Sequence, residues 1–264
     1  MPKATANGLK ISYEIRGSGP NLLFINGIGA DMKTPIGLFN SPMVEHFTVL
    51  AYDPRGLGES EGPEAACTMA DLAEDAAQLA KSVGWDKYHV FGASMGGMVA
   101  QELAIRHPDA VDKLVLAVTH SGGENGAPSI VDKMWDLSPE ELLLLSDTRQ
   151  DAAWAAAHPG ALESMQAQTA RMKAFFEADP SRARGYRNQA AAVLGHDTTA
   201  RLHLIAARTL AFNGKYDGGV PVAAAKIMAE RIGDCRFELV EHGHGSWFFD
   251  PDVWEMVVEF LQAA

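Results

Sequence analysis

The feature that most constrains this chain is the stretch His89-Val90-Phe91-Gly92-Ala93-Ser94-Met95-Gly96-Gly97-Met98-Val99-Ala100-Gln101-Glu102. An apolar run, Tyr88 to Phe91, stops at Gly92. Ser94 follows, two glycines come next, and a helix-spaced pattern begins with Met98, Leu103 and Ile105. The order predicts a strand, a sharp turn and a helix, because small residues on both sides of Ser94 let the chain reverse tightly. Such a turn holds the Ser94 hydroxyl out at a helix N-terminus. It also leaves the Met95 N–H and the positive end of the helix dipole facing any negative charge that forms there.

Other segments fit an α/β architecture around that turn. Leu9 to Arg16 alternates between Asn7-Gly8 and Gly17-Ser18-Gly19-Pro20 and reads as an edge strand. Leu22–Ile25 is a short continuous apolar run, as a strand buried on both faces requires; Phe47–Tyr52 and Val111–Val118 read as further buried strands, Ala207–Phe212 as the strand that leads back into the core, and Arg236–Val240 as the last strand. Met69 to Val83 predicts a helix with an apolar stripe (Met69, Leu72, Ala76, Leu79, Ala80, Val83), acids on its other face (Asp71, Glu74, Asp75) and Gly84 as its stop. Residues 121–200 contain no buried-strand run. They give three helix-like stretches, Ser138–His158, Ala161–Asp179 and Ser181–Leu194, with Ser138-Pro139-Glu140-Glu141 and Asp179-Pro180 as helix starts. Met134, Trp135, Met165, Met172, Phe175 and Phe176 in this block could line an acyl or aromatic pocket or simply glue it to the core.

Several motifs carry a resemblance. Gly92-Ala93-Ser94-Met95-Gly96 matches the G-x-S-x-G nucleophile elbow, with strand before and helix after, and in this the chain resembles the α/β-hydrolase superfamily. Asp53-Pro54-Arg55-Gly56-Leu57-Gly58-Glu59-Ser60 resembles that family's D-x-R-G-x-G-x-S loop. We read it as structural, with Asp53 and Arg55 placed to pair. Gly214-Lys215-Tyr216-Asp217 matches the G-x-x-D segment, and Gly243-His244 ahead of Asp250-Pro251 matches the histidine segment. The resemblance implies an α/β-hydrolase fold, a mostly parallel eight-stranded sheet flanked by helices, with core segments 1–120 and 201–264 and an inserted α-helical cap at 121–200. It further implies Ser94 as nucleophile, Asp217 as acid and His244 as base, and the backbone N–H groups of Ile28 and Met95 as the oxyanion hole. Asn26 departs from the family's usual His-Gly turn, which leaves a backbone donor in place. His242 competes with His244 and reads instead as a strand-end residue bonded to backbone; His46, His89, His107 and His158 read as surface or interface residues.

The expected activity is acyl transfer from a small carboxylic ester. Enol-lactones, C–C bonds of vinylogous diketones and amides stay open, as does a receptor that turns over slowly. The expected pocket comprises Met134, Trp135, Met165, Phe175 and Trp247, suited to an apolar acyl or aromatic substrate. A formal charge of −12 and a pI near 5.1 argue against nucleic acid or an anionic membrane surface as partner. With 264 residues, 47% of them hydrophobic, the chain can build one large core with an inserted subdomain, and a homo-oligomer stays open. Two cysteines, Cys67 and Cys235, and an N-terminus without an apolar signal stretch lead us to expect a cytoplasmic protein. No cysteine or histidine cluster has metal-ligand spacing, so neither metal nor other cofactor is expected.

Overall fold

The computed structural model describes residues 1–34, 39, 41–63, 65–126, 131, 136–149, 156, 157 and 160–263. Its frame is an eight-stranded sheet of order β1-β2-β4-β3-β5-β6-β7-β8. The strands are β1 (Lys3–Ala6), β2 (Leu9–Arg16), β3 (Asn21–Ile25), β4 (Thr48–Tyr52), β5 (Tyr88–Ala93), β6 (Val111–Ala117), β7 (Arg208–Gly214) and β8 (Cys235–Val240). Pairings from β4 through β3, β5, β6 and β7 to β8 are parallel, whereas β1–β2 and β2–β4 are antiparallel.

The apolar runs are strands because both faces of the sheet are covered. Successive residues point to opposite sides: on β3, Leu23 and Ile25 enter one core and Leu22 and Phe24 the other. The first core packs under α2 (Met69–Ser82) and α3 (Met95–Arg106), with Leu72, Leu79, Val99 and Leu103 buried. The second gathers Phe47, Phe91, Phe212, Trp247 and Trp254 under α1 (Met43–His46) and α8 (Pro251–Gln262). Helix α2 starts at a capping box in which the Thr68 hydroxyl accepts from Asp71 N–H and the Asp71 carboxylate accepts from Thr68 N–H.

Between β6 and β7 the chain forms α4 (Pro139–Ser146), α5 (Ala161–Glu177) and α6 (Pro180–Leu194); α7 (Val222–Glu230) follows β7. Gly122 bridges Asp197 where this insertion leaves and re-enters the sheet. Of the expected helix 138–158, residues 150–155 and 158 lie outside the described residues, and α4 covers its first part. It begins at a Ser138–Glu141 capping box and ends at Ser146, because Asp147 is extended and its carboxylate holds Arg149.

Four further expectations are corrected. Leu9–Arg16 is not the edge, because Lys3–Ala6 pairs outside it through the Asn7-Gly8 turn, where both residues have positive φ, as a tight hairpin needs. Arg55 does not pair with Asp53. Its guanidinium grips Asp75 with two bonds of 2.6 Å, and Asp75, predicted on the solvent face of α2, is 1% exposed. Asp53 instead accepts the Met32 and Glu59 N–H groups, both at 2.8 Å, so it shapes its own loop. His89 is buried in β5, packed edge-on against Phe47 with its Nδ1 3.4 Å from Asp112, and burial lowers its pKa.

Candidate active site

The C-terminal ends of β3, β5, β7 and β8 open on one rim of the sheet, the rim where a parallel sheet gathers its binding site. Ser94 stands between β5 and α3 with φ 55° and ψ −122°, a strained conformation for a residue with a side chain. The turn closes only because residue 96 is glycine: a Cβ there would lie 2.0 Å from the Ile25 carbonyl oxygen on β3. The Ser94 N–H donates to the Ala117 carbonyl at 2.9 Å, which ties the turn to β6.

Asp217 and His244 arrive from the loops after β7 and β8. One Asp217 oxygen, Oδ1, accepts the N–H groups of Gly219 (2.8 Å) and Val220 (2.7 Å), and these fix the carboxylate. The other, Oδ2, lies 2.8 Å from His244 Nδ1. An ionised carboxylate only accepts, so Nδ1 carries the ring proton, and Nε2 is left to accept from the Ser94 hydroxyl at 3.0 Å. The Trp247 indole N–H donates to the His244 carbonyl at 2.9 Å. Burial lowers the His244 pKa, but the Asp217 charge and hydrogen bond more than reverse this, so it lies above the ordinary value. His242, the competing histidine, turns its ring away to Asp250 Oδ2 at 2.6 Å instead of to backbone.

Among the described residues neither the Ile28 nor the Met95 N–H has a protein acceptor. Ile28 sits in the turn after β3, whose next N–H, that of Gly29, donates to the Gln189 side chain of α6 at 2.7 Å. Sequence reasoning missed Gln189, because nothing in a polar residue within a helical stretch says that it will reach a loop 160 residues away.

Above Ser94 lies a cavity of about 660 Å³ walled by the rim on one side and the insertion on the other. Of the residues proposed for a pocket, Met165 and Trp247 line it. Trp247 is at the same time packed into the second core, its ring centroid 5.1 Å from Phe212 and 5.4 Å from Trp254. Phe175 is not part of the wall; its ring carries the Arg182 guanidinium at 4.2 Å. Met134 and Trp135 lie outside the described residues. The apolar wall contributed by α4, Leu142, Leu143 and Leu145, was not foreseen, although four consecutive leucines behind a helix cap were its signal. His120, at the end of β6, also lines the cavity. It is held neutral with a pKa of about 4, chiefly by burial, and its Nδ1 accepts the Gly122 N–H.

Among the described residues no group of three His, Cys, Asp or Glu side chains is placed to hold a metal ion, and no helix is long and apolar enough to cross a membrane.

Known proteins place this geometry in context. The family model for the alpha/beta hydrolase fold matches residues 20–252. The protein named "Putative carbamate hydrolase RutD" of Caulobacter vibrioides is 31% identical over 289 residues, covering 100% of this chain and 99% of that one. A poly(3-hydroxyalkanoate) depolymerase of Ectopseudomonas oleovorans is 27% identical, covering 84% of this chain and 77% of that one. An uncharacterized Mycobacterium bovis protein is 33% identical over 133 residues, a match that spans 50% of this chain and only 38% of that protein. Among solved structures, a hydrolase from Pseudomonas aeruginosa PA01 superposes with a TM-score of 0.77 at 28% identity, covering 100% and 98% of the two chains. A family match over most of the length, on a sheet with this strand order, makes the chain a member of the α/β-hydrolase family.

Proposed function

We propose that the protein is a serine hydrolase that cleaves small carboxylic esters through an acyl-enzyme. The observation that carries the reading is the unbroken chain from Ser94 Oγ through His244 to Asp217 Oδ2, with links of 3.0 and 2.8 Å. Ser94 Oγ attacks the ester carbonyl while His244 Nε2 takes its proton. Negative charge on the former carbonyl oxygen is met by the N–H groups of Ile28 and Met95 and the helix dipole of α3. Asp217 holds the imidazolium, which then protonates the departing alkoxide as the carbonyl C–O bond breaks. Water, deprotonated by the same imidazole, releases the acid and restores Ser94. In this reading α4 to α6 form a cap that keeps the cavity apolar and dry.

The mainly apolar wall favours apolar acyl or aromatic groups. The relatives' names support an ester or a closely allied substrate: polyhydroxyalkanoates are polyesters, and carbamates present the same acyl carbon. Carbamates are therefore the second class to assay, alongside the enol-lactones and vinylogous diketones that the fold also accommodates. Cys67 and Cys235 are both free thiols, which suits a reducing compartment such as the cytoplasm.

A fluorophosphonate probe should label wild-type protein with its mass increment on Ser94, and Ser94→Ala should take up none. A panel of p-nitrophenyl esters of increasing chain length, run beside p-nitrophenyl carbamates, then ranks the substrates. A slow receptor would show near-zero turnover with a ligand-dependent rise in melting temperature. Undiminished turnover in Ser94→Ala would discard the mechanism.

A further inference from the structure

Asp217 and His244 stand on separate loops, and residues 146–149, at the C-terminal end of α4, touch both loops. The sheet's own pairing reaches as far as Tyr216 N–H, which donates to the His242 carbonyl at 3.0 Å; beyond that point the two loops depend on other partners. The backbone N–H of His244 donates to the Ser146 carbonyl at 2.5 Å. That carbonyl belongs to the last turn of α4, where it has no partner within the helix. The approach requires glycine at 243, since a Cβ there would stand 2.3 Å from the same oxygen. Two residues further on, the Thr148 N–H and hydroxyl both donate to the Tyr216 carbonyl, at 2.9 and 3.1 Å, next to Asp217.

Arg149 spans the two loops. Its Nη1 donates to the Glu241 carbonyl at 2.9 Å, and its guanidinium lies 4.8 Å over the Tyr216 ring. Asp147, 1% exposed, holds it in a fork through Nε at 3.0 Å and Nη2 at 2.6 Å. The same carboxylate accepts from the Ser246 hydroxyl at 3.3 Å, and that hydroxyl accepts the Gly243 N–H at 2.9 Å. A planar guanidinium with its donors pre-set in a fork suits this double duty better than a flexible ammonium would.

We infer that residues 146–149 are a strap by which the insertion sets the spacing of the Asp217–His244 pair, with Arg149 and Asp147 as its positioning residues. This rests on the reading of Ser94, His244 and Asp217 as a triad. Arg149 is not on the cavity wall, so its loss should leave substrate binding alone and loosen the contact that the reaction uses. The insertion would then shape the pocket and also complete the base.

The test is Arg149→Ala, read by steady-state kinetics on a p-nitrophenyl ester and by the low-field proton NMR resonance of His244 Nδ1–H. The expected result is a fall in kcat of about tenfold or more with KM held within about twofold, and a broadened or absent low-field resonance at a retained melting temperature. If Arg149→Ala does not fold, Thr148→Val carries the test, since it removes one hydroxyl bond and keeps the main-chain one; kcat should fall by about two- to fivefold at constant KM. A folded variant with a wild-type resonance and kcat, or one altered in KM alone, overturns the strap. Failure of the wild-type protein to react with a fluorophosphonate would count against the triad instead, and the comparison of resonances would still decide the strap.

Discussion

His244 shares its Nδ1 proton with Asp217 Oδ2 across 2.8 Å, and the pair keeps the imidazole easier to protonate than burial alone would allow. In the proposed mechanism His244 must be neutral to accept the Ser94 proton, so activity should be lost as pH falls through its pKa. That pKa is raised, so the acid limb of kcat/KM should lie above the ordinary histidine value of about 6.5. Asp217→Asn removes the raising charge and leaves burial in command: the limb should move to lower pH while the plateau drops by roughly 10³–10⁴-fold. A pH–rate profile of both proteins checks this, and a wild-type rate level down to pH 4 would contradict it.

Stability should follow a different set of histidines. His120 and His196 are buried and pushed down to about 4, chiefly by burial, whereas in the unfolded chain they titrate near the ordinary value of about 6.5. Between those two values the unfolded chain binds protons that the native state refuses, so stability falls on acidification, by about 3 kcal/mol for each residue at full effect. His244 works in the opposite sense. Its raised folded pKa adds stability that is complete below about 6.5 and disappears as pH climbs through the folded value. Urea midpoints at pH 7.5 and pH 5 should therefore converge in His196→Gln relative to wild type; an unchanged pH dependence would refute the assignment.

The Arg55–Asp75 pair predicts a stability defect far from the chemistry. Asp75→Ala leaves the guanidinium in a largely buried place without its carboxylate and takes from Asn7 Nδ2 an acceptor at 3.0 Å. The cost should be about 3–5 kcal/mol in denaturant unfolding, with kcat near wild type at temperatures where the variant is folded. A loss under about 1 kcal/mol would mean that water replaces the carboxylate without penalty.

Leu145 on α4 offers a way to resize the cavity. Leu145→Trp adds bulk to a wall facing about 660 Å³ of space and should shorten the preferred acyl chain. Hydrolysis of p-nitrophenyl acetate should persist while kcat/KM for octanoate falls by about tenfold or more. Parallel losses on both esters would place Leu145 outside the acyl site.

Much of this was legible in the residues, for reasons that differ from element to element. The Ser94 turn could be read because its requirements are local: an apolar strand, small neighbours and a helix, all within 14 residues. Strand β3 was legible because burial on both faces leaves a continuous apolar run, Leu22–Ile25. What failed was pairing at a distance. Asp53 and Arg55 are two residues apart and invited a pair, yet Arg55 points to a helix 20 residues on, a choice made by how α2 lies on the sheet. Strand β1 was missed because Lys-Ala-Thr-Ala is only four residues long and its apolar side chains are two alanines, too short and too weak an alternation to stand out. The α4 wall was missed because the candidates were methionine and aromatic residues, whereas Leu142, Leu143 and Leu145 line the cavity.

The hydrogen bond from the His244 amide to the Ser146 carbonyl bears on how new specificities are built on this scaffold. Grafting a foreign insertion between β6 and β7 would exchange the pocket and, in the same stroke, remove an anchor of the histidine loop. Chimeras that keep residues 146–149 together with Gly243 should stay active while their substrate range changes; those that discard them should accept ligands and turn over little.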